Sequence, residues 1–546
     1  MIENQSTHKP DEVSDKEEDI SSQIKTWKAT SPLALVSLAL GLAAVSDILF
    51  HWHAIGISIP IFALFCVVLL LAAGKLENRL VQRQDIILAV LILFFAGLST
   101  IRLEPMTRAL SILSMLALLA IWLWTYSSKQ LFRSGILDFF LSWMVPVMYW
   151  VFPWGVLGQS MKRFRKDRQS RSVLRSVLAG LLLALPIIVL FSLLFSAADL
   201  VFQAHIEELA DWLQLEALKD VFSHSMWIII AFIFFLGAMV MALHKGKTRT
   251  LVNDGKQLLP PFLGSIETMV VLISVTLLFA VFVGIQFAYL FGGEANITSA
   301  GFTYAEYARR GFFELVAVAV LTLLLMQGMR SYKKGAAERA EFVFKALCSL
   351  LVVLVLIILG SALKRMLLYE DAYGLTRLRT YTLAGLGWIT VLFAAFSLLL
   401  WRNLQVRFAQ VLAAVAMGFT ATLGLINVDA FIARRNLERY LVGEKLDIWH
   451  MMTLTDDAVP VIVDFAVNHT EEFGDEMLAD LVCRQEQRNR EDFQEWQAFH
   501  FSRAVANSAN AAVEDRLADY EITTDEWGYW VVTWPDGQLD CQAGWD

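Results

Sequence analysis

Residues 341–363 read EFVFKALCSLLVVLVLIILGSAL, and from Ala346 to Leu363 no side chain carries a charge. A helix of about 20 such residues crosses the hydrocarbon core of a bilayer, where backbone amides find no water and must bond within their own segment. The stretch therefore reads as a spanning helix. Working outward, stretches of the same kind occur near 32–50, 54–74, 85–101, 106–126, 173–198, 225–243, 266–291, 311–330, 380–400 and 405–427, making eleven in all. The whole chain agrees, with 57% apolar and only 18% charged residues over 546 positions. A soluble protein carries about 25% charge, so the expected class is an all-α polytopic membrane protein whose first partner is the lipid bilayer. A soluble enzyme and a disordered chain are excluded. So is a nucleic-acid binder, which needs a concentrated basic face that this chain lacks.

Charge divides the chain unevenly. The formal net charge is −3 over residues 1–30, +11 over 31–427 and −16 over 428–546. The first segment lacks apolar periodicity and reads as a disordered cytoplasmic tail. The first apolar stretch is long enough to span, which argues for an uncleaved helix and against a signal peptide. Lys and Arg in short loops stay cytoplasmic, and the densest run, Lys162 to Arg175, fixes that side. Residues 138–158 are equally apolar, but Pro146, Pro153 and three Trp suggest an interfacial or re-entrant helix. If they do span, the helices number twelve. Either way, loop 199–224 falls outside and reads as an amphipathic surface helix, and the acidic segment 428–546 is extracytoplasmic. That segment reads as a small domain, helical through 429–441, 456–467, 471–486 and 491–516, ending in a strand and turn at 528–537.

Chemical signatures are sparse. The chain has no phosphate-binding GxxxxGK[ST], no GxGxxG after a strand, no GxSxG and no HExxH, so no catalytic residue and no cofactor is assigned. The four cysteines show no metal-binding spacing. Cys483 and Cys541 fall in the extracytoplasmic segment, where an oxidising compartment permits a disulfide. His51 and His53 flank Trp52 at an outer turn, which reads as an interfacial anchor more readily than as a metal pair, so no metal is expected. The middles of the spans are free of charge, which argues against an ion-coupled carrier.

Three polar stretches on the outer side stand above this background. FTYAEYARRGFFE, residues 302–314, offers Tyr304, Glu306, Tyr307, Arg309, Arg310 and Glu314. KRMLLYEDAYGLTRLRTYT, residues 364–382, offers Tyr369, Glu370, Asp371, Tyr373, Arg377 and Arg379. NVDAFIARRNLERY, residues 427–440, offers Asp429, Arg434 and Arg435. Arginines outside run against the insertion bias, and the guanidinium fork suits either carboxylates or phosphates. The three stretches are therefore expected to meet as one outer-face cluster. It either pairs internally or holds a small anion or anionic lipid.

YAEYARRGFFEL, YEDAYGLTRLRTYT and NVDAFIARRNLERY, followed by LDIWHMMTLTDDAVP at 446–460 and DFQEWQAFHFSR at 492–503, resemble the successive motifs of a bacterial family of polytopic inner-membrane proteins classed as a domain of unknown function. The similarity covers roughly residues 160–510. Where such relatives read Asn-Pro-Asp, this chain has Asn427-Val428-Asp429. The resemblance implies a bacterial inner-membrane protein with no assigned activity. Three readings stay open: a binding, sensing or scaffold protein; a transporter or channel for a small anionic or lipid-like molecule; and an enzyme acting on a lipid-linked phosphate at the outer leaflet.

Overall fold

The computed structural model describes residues 29–126, 215–243, 264–290, 312–332, 337–469, 474–489, 495–526 and 529–541, with isolated positions between 184 and 202. Ten of its helices are long and apolar enough to cross a membrane. The first four are α1 (Pro32–Phe50), α2 (Ser58–Leu76), α3 (Arg83–Ile101) and α4 (Pro105–Thr125). Next come α5 (Leu215–Leu243), α6 (Ser265–Leu290) and α7 (Phe312–Tyr332). The last three are α8 (Glu338–Tyr373), α9 (Arg377–Trp401) and α10 (Phe408–Ile426). The chain is an integral, multi-pass, all-α membrane protein. Segments 138–158 and, apart from isolated positions, 173–198 lie outside the described residues.

Two helices overrun the expected boundaries. The 36-residue α8 continues past Leu363 to Tyr373, so the first half of the polar stretch 364–382 is helix and not loop. Lys364, Arg365 and Glu370 favour a helix as readily as the apolar residues before them, and nothing stops the chain until Gly374, whose φ of 72° ends it. Likewise α5 begins at Leu215, so the second half of the expected surface helix is the entrance to a span. Residues 199–214 are, isolated positions aside, outside the described set.

Helix starts follow local chemistry. Glu104 caps α4 by accepting from the amides of Met106 and Thr107 while Pro105 takes the first position. Asp85 and Gln82 form a reciprocal capping box on α3. Between helices, the spans bury apolar side chains. Leu35, Ile92, Phe95 and Trp122 fill the space among α1 to α4, and Leu351, Val355, Phe393 and Phe396 fill that among α6 to α10. The two halves meet where α4 packs on α10, and α5 packs chiefly against α1.

At Asn427 the chain leaves α10 through one left-handed residue, φ 57° and ψ 79°. The Asn427 side chain then caps α11 (Val428–Leu441) by accepting from the Ala430 amide at 3.4 Å. Asn tolerates this conformation because its short amide bonds locally, and the turn forms here with Val428 in the place of proline. Beyond it lie α12 (Ile448–Met452), α13 (Val459–Asn468), α14 (Asp475–Arg488), α15 (Phe501–Asn510) and α16 (Glu514–Leu517). An antiparallel sheet closes the chain, with β1 (Glu521–Thr524), β2 (Trp530–Trp534) and β3 (Gly537–Asp540) in the order β1-β2-β3. The expected strand is the central one, and Val532 pairs with Ile522 on one side and Leu539 on the other. Val532, Leu539, Leu478, Leu481 and Ile462 share one core. Cys483 of α14 and Cys541 after β3 are joined as a disulfide with Cα atoms 5.3 Å apart.

Candidate functional site

The polar residues of greatest consequence converge on Met452, the last residue of α12, and the short loop Thr453–Asp457 that leads toward α13. Each residue of the loop is held by another part of the molecule. From the spans, Arg377 at the start of α9 donates through Nη2 to the Thr453 carbonyl at 2.8 Å. The same guanidinium grips Asp429 of α11 with two parallel bonds, Nε to Oδ1 at 2.8 Å and Nη2 to Oδ2 at 2.7 Å. Asp429, fully buried, then accepts from the Thr455 amide at 2.7 Å and its hydroxyl at 2.8 Å. From the C-terminal segment, buried Arg484 pairs with Asp480 at 2.6 Å and donates to the carbonyls of Met452 and Leu454. Arg488 donates to Asp456 at 2.8 Å.

Asp457 ties the loop to the first half of the bundle. Its Oδ2 accepts from the amides of Leu103 and Glu104, at 2.7 and 3.0 Å, and its Oδ1 accepts from the Ser502 hydroxyl at 2.7 Å. Burial pushes its carboxyl above the usual range, while these donors pull it down. Glu104, capping α4, accepts in turn from the Tyr381 hydroxyl of α9. The loop is thus a keystone set between α4, α9 and α11 on one side and α14 and α15 on the other.

The C-terminal segment rests on the neighbouring span ends as well. Gly56 meets Ala498 so closely that a Cβ would lie 2.5 Å from its carbonyl carbon, and the Ile57 amide donates to the Phe499 carbonyl at 2.9 Å. His500 is buried against the Ser99 carbonyl at 3.3 Å, and desolvation pushes its imidazole down to about 3, with Arg108 and Arg503 adding to the effect.

Of the residues singled out from sequence, the structure brings the second and third stretches together. Arg435 of α11 lies 3.7 Å from Glu370 of α8 and 3.2 Å from Glu438. Arg379 donates to the carbonyls of Tyr373 and Gly374, its guanidinium 4.0 Å from the Tyr369 ring centroid. Arg439 donates to the Asp371 carbonyl at 2.6 Å, and Asn436 exchanges two hydrogen bonds with the backbone of Leu375. Arg434 is exposed, as is Glu314 at the start of α7. Tyr304, Glu306, Tyr307, Arg309 and Arg310 lie outside the described residues. Sequence reasoning passed over Glu104, Thr455, Asp457, Asn436 and Ser502. The signal for Glu104 was present, since an acidic residue before Pro105 marks a helix start.

The sequence matches the family described as Domain of unknown function (DUF4153) over residues 86–465. The chain belongs to this family. Its match begins in α3, earlier than the motifs alone indicated, and ends within α13, so it takes in Glu104, Arg377, Tyr381, Asp429 and the whole keystone loop. Arg484, Arg488 and Ser502 fall beyond it. No curated protein and no solved structure matches the chain.

Proposed function

We propose that this DUF4153 protein is a binding and sensing protein of the bacterial inner membrane, whose extracytoplasmic C-terminal domain receives a small polar ligand and reports it to the spans. One observation carries the reading. Arg488 of α14 donates through Nη1 to Asp456 of the keystone loop, and through Nε to Asn507 of α15 at 2.5 Å. Asn507 lines a cleft of about 570 Å³ together with Gln485, Glu486, Asn489, Asn510 and Glu514. Asn510 is 4% exposed, and neither its amide nitrogen nor its carbonyl oxygen has a partner among the described residues. A buried amide without partners costs about 1–3 kcal/mol, which a ligand with both donors and acceptors offsets. A guest that draws Asn507 inward moves Arg488, and Arg488 holds Asp456. Glu486 and Glu514 in the cleft lining favour a neutral or cationic guest such as a sugar, polyol or amino acid amide.

The pairing of Arg377, Arg379, Arg435 and Arg439 with groups of the protein itself supports assigning the span-end cluster to mechanical coupling. The apolar packing around Leu351, Val355 and Phe396 supports a solid scaffold in that half of the bundle. The test is a thermal-shift screen of the full chain in lipid nanodiscs with neutral sugars, polyols and amino acid amides, and with inorganic phosphate as contrast. Stabilisation by a neutral compound, lost in Asn510→Leu, is the expected result. Stabilisation by phosphate alone would overturn the reading in favour of an arginine-lined anion site.

A further inference from the structure

The turn His51-Trp52-His53 splits its two histidines. His53 points to Glu495, Nδ1 to Oε2 at 2.6 Å, whereas His51 folds back over Asp47, one helical turn earlier on α1. From α5, His224 places its Nδ1 at 3.0 and 2.8 Å from the two Asp47 oxygens. The His51 and His224 rings lie 4.2 Å apart, centroid to centroid. His51 Nδ1 stands 3.6 Å from Asp47 Oδ1, and one ligand atom from each of the three residues falls within 4.8 Å of the others.

Hydrogen bonding orients His51 within this trio, Nε2 toward Ser223 and Nδ1 toward Asp47. The Ser223 hydroxyl lies 2.9 Å from His51 Nε2 and can accept from it while donating to the Asp220 carbonyl at 3.1 Å. That arrangement uses the tautomer with the ring proton on Nε2. In the neutral imidazole that leaves a lone pair on Nδ1, facing the Asp47 carboxylate. In that tautomer two electron-pair donors face each other at a largely buried spot, with the side chains of His51 and Asp47 7% and 11% exposed, and can hold a cation between them.

We propose that Asp47, His51 and His224 bind one divalent transition-metal ion of the zinc type, stapling α1 to α5. The donor set, two imidazoles and one carboxylate, suits zinc, copper or nickel rather than magnesium or calcium. Tetrahedral zinc with bonds of about 2.0–2.2 Å puts its ligands about 3.3 Å apart. The His51 to Asp47 separation of 3.6 Å is close to this value, the His224 to Asp47 separation of 2.8 Å is shorter, and all three ligand atoms lie within 4.8 Å of one another, so a shift of the half-exposed His224 ring completes the set. Ser223 is the outer group that orients His51, as metal-bound histidines require. Three protein ligands leave a fourth position for water on the exposed His224 side. From sequence His51 and His53 read as an interfacial turn around Trp52 and no metal was expected, because nothing local pairs His51 with His224, 173 positions further on. The proposal stands apart from the cleft in the C-terminal domain.

The experiment takes the full chain in nanodiscs, stripped with a chelator and dialysed against zinc chloride at neutral pH, and measures retained metal by elemental analysis. The wild-type chain is expected to retain about one zinc per chain and to unfold at a higher temperature with zinc than without. His51→Ala, His224→Ala and the conservative Asp47→Asn are expected to lose both effects while His53→Ala keeps them. Ser223→Ala is expected to weaken binding about 10- to 100-fold. Cobalt in place of zinc gives a visible absorption band that must vanish in His51→Ala. Wild-type chain that retains no zinc, or equal retention by a His51→Ala/His224→Ala double variant with unaltered helical content, would overturn the proposal.

Discussion

Arg377 and Asp429, 52 residues apart, face each other through two parallel hydrogen bonds of 2.8 and 2.7 Å, the carboxylate fully buried and the guanidinium a quarter exposed. The pair joins the start of a spanning helix to the first turn of the helix that leaves the membrane. Planar fork against carboxylate is a geometry that neither lysine nor asparagine reproduces. The same carboxylate holds Thr455, so it fixes two segments at once.

Removing one partner of such a pair strands the other and typically costs about 3–5 kcal/mol. Asp429→Asn is expected to fall toward the lower end, because Arg377 keeps some solvent and its bond to the Thr453 carbonyl. Arg377→Lys is expected to cost less, since the charge stays and one of two bonds is lost. Thermal unfolding in detergent, compared with the parent chain, checks the order.

Asp457 is expected to act as the latch between the C-terminal segment and the first half of the bundle. Asp457→Ala leaves the amides of Leu103 and Glu104 and the Ser502 hydroxyl without their acceptor, whereas Ser502→Ala removes a single bond. Limited proteolysis should cut Asp457→Ala readily in the 442–447 loop and at span-end loops. Ser502→Ala should stay near wild-type protection, and equal protection of all three proteins would refute the latch.

Docking of the C-terminal segment is expected to weaken in acid. His500 is held at about 3 in the folded chain against an ordinary 6.5, so the unfolded chain takes up a proton that the folded one refuses. Its contribution is complete above 6.5 and is lost as the pH falls from there toward about 3. Asp457 has the opposite sign, being raised above 3.8, and offsets part of the loss in the window just above that value. Unfolding followed between neutral pH and about pH 5 should show a slope that His500→Asn flattens.

The Cys483 to Cys541 bond closes a separation of 58 residues and by chain entropy contributes about 4 kcal/mol. Cys541→Ser is expected to loosen the sheet against α14 and leave the spans intact. Hydrogen exchange rising in residues 521–541 and unchanged in α8 is the pattern that supports this.

The spans were legible because lipid makes a local demand. About 20 apolar residues in a row suffice to cross, and no distant partner is needed to recognise them. The same locality let the 528–537 strand and turn be read, and it marked the polar stretches of α8, α9 and α11 as exceptional. Where propensity had no punctuation the boundaries slid, as at Tyr373 and Leu215. What tertiary structure alone decided is who meets whom. Asp457 finds the amides of Leu103 and Glu104 more than 350 residues away, and His224 finds Asp47 across 177. No periodicity encodes such pairings. They follow from which helix ends the packing of apolar faces brings side by side, and only then do buried charges choose the nearest group that can satisfy them.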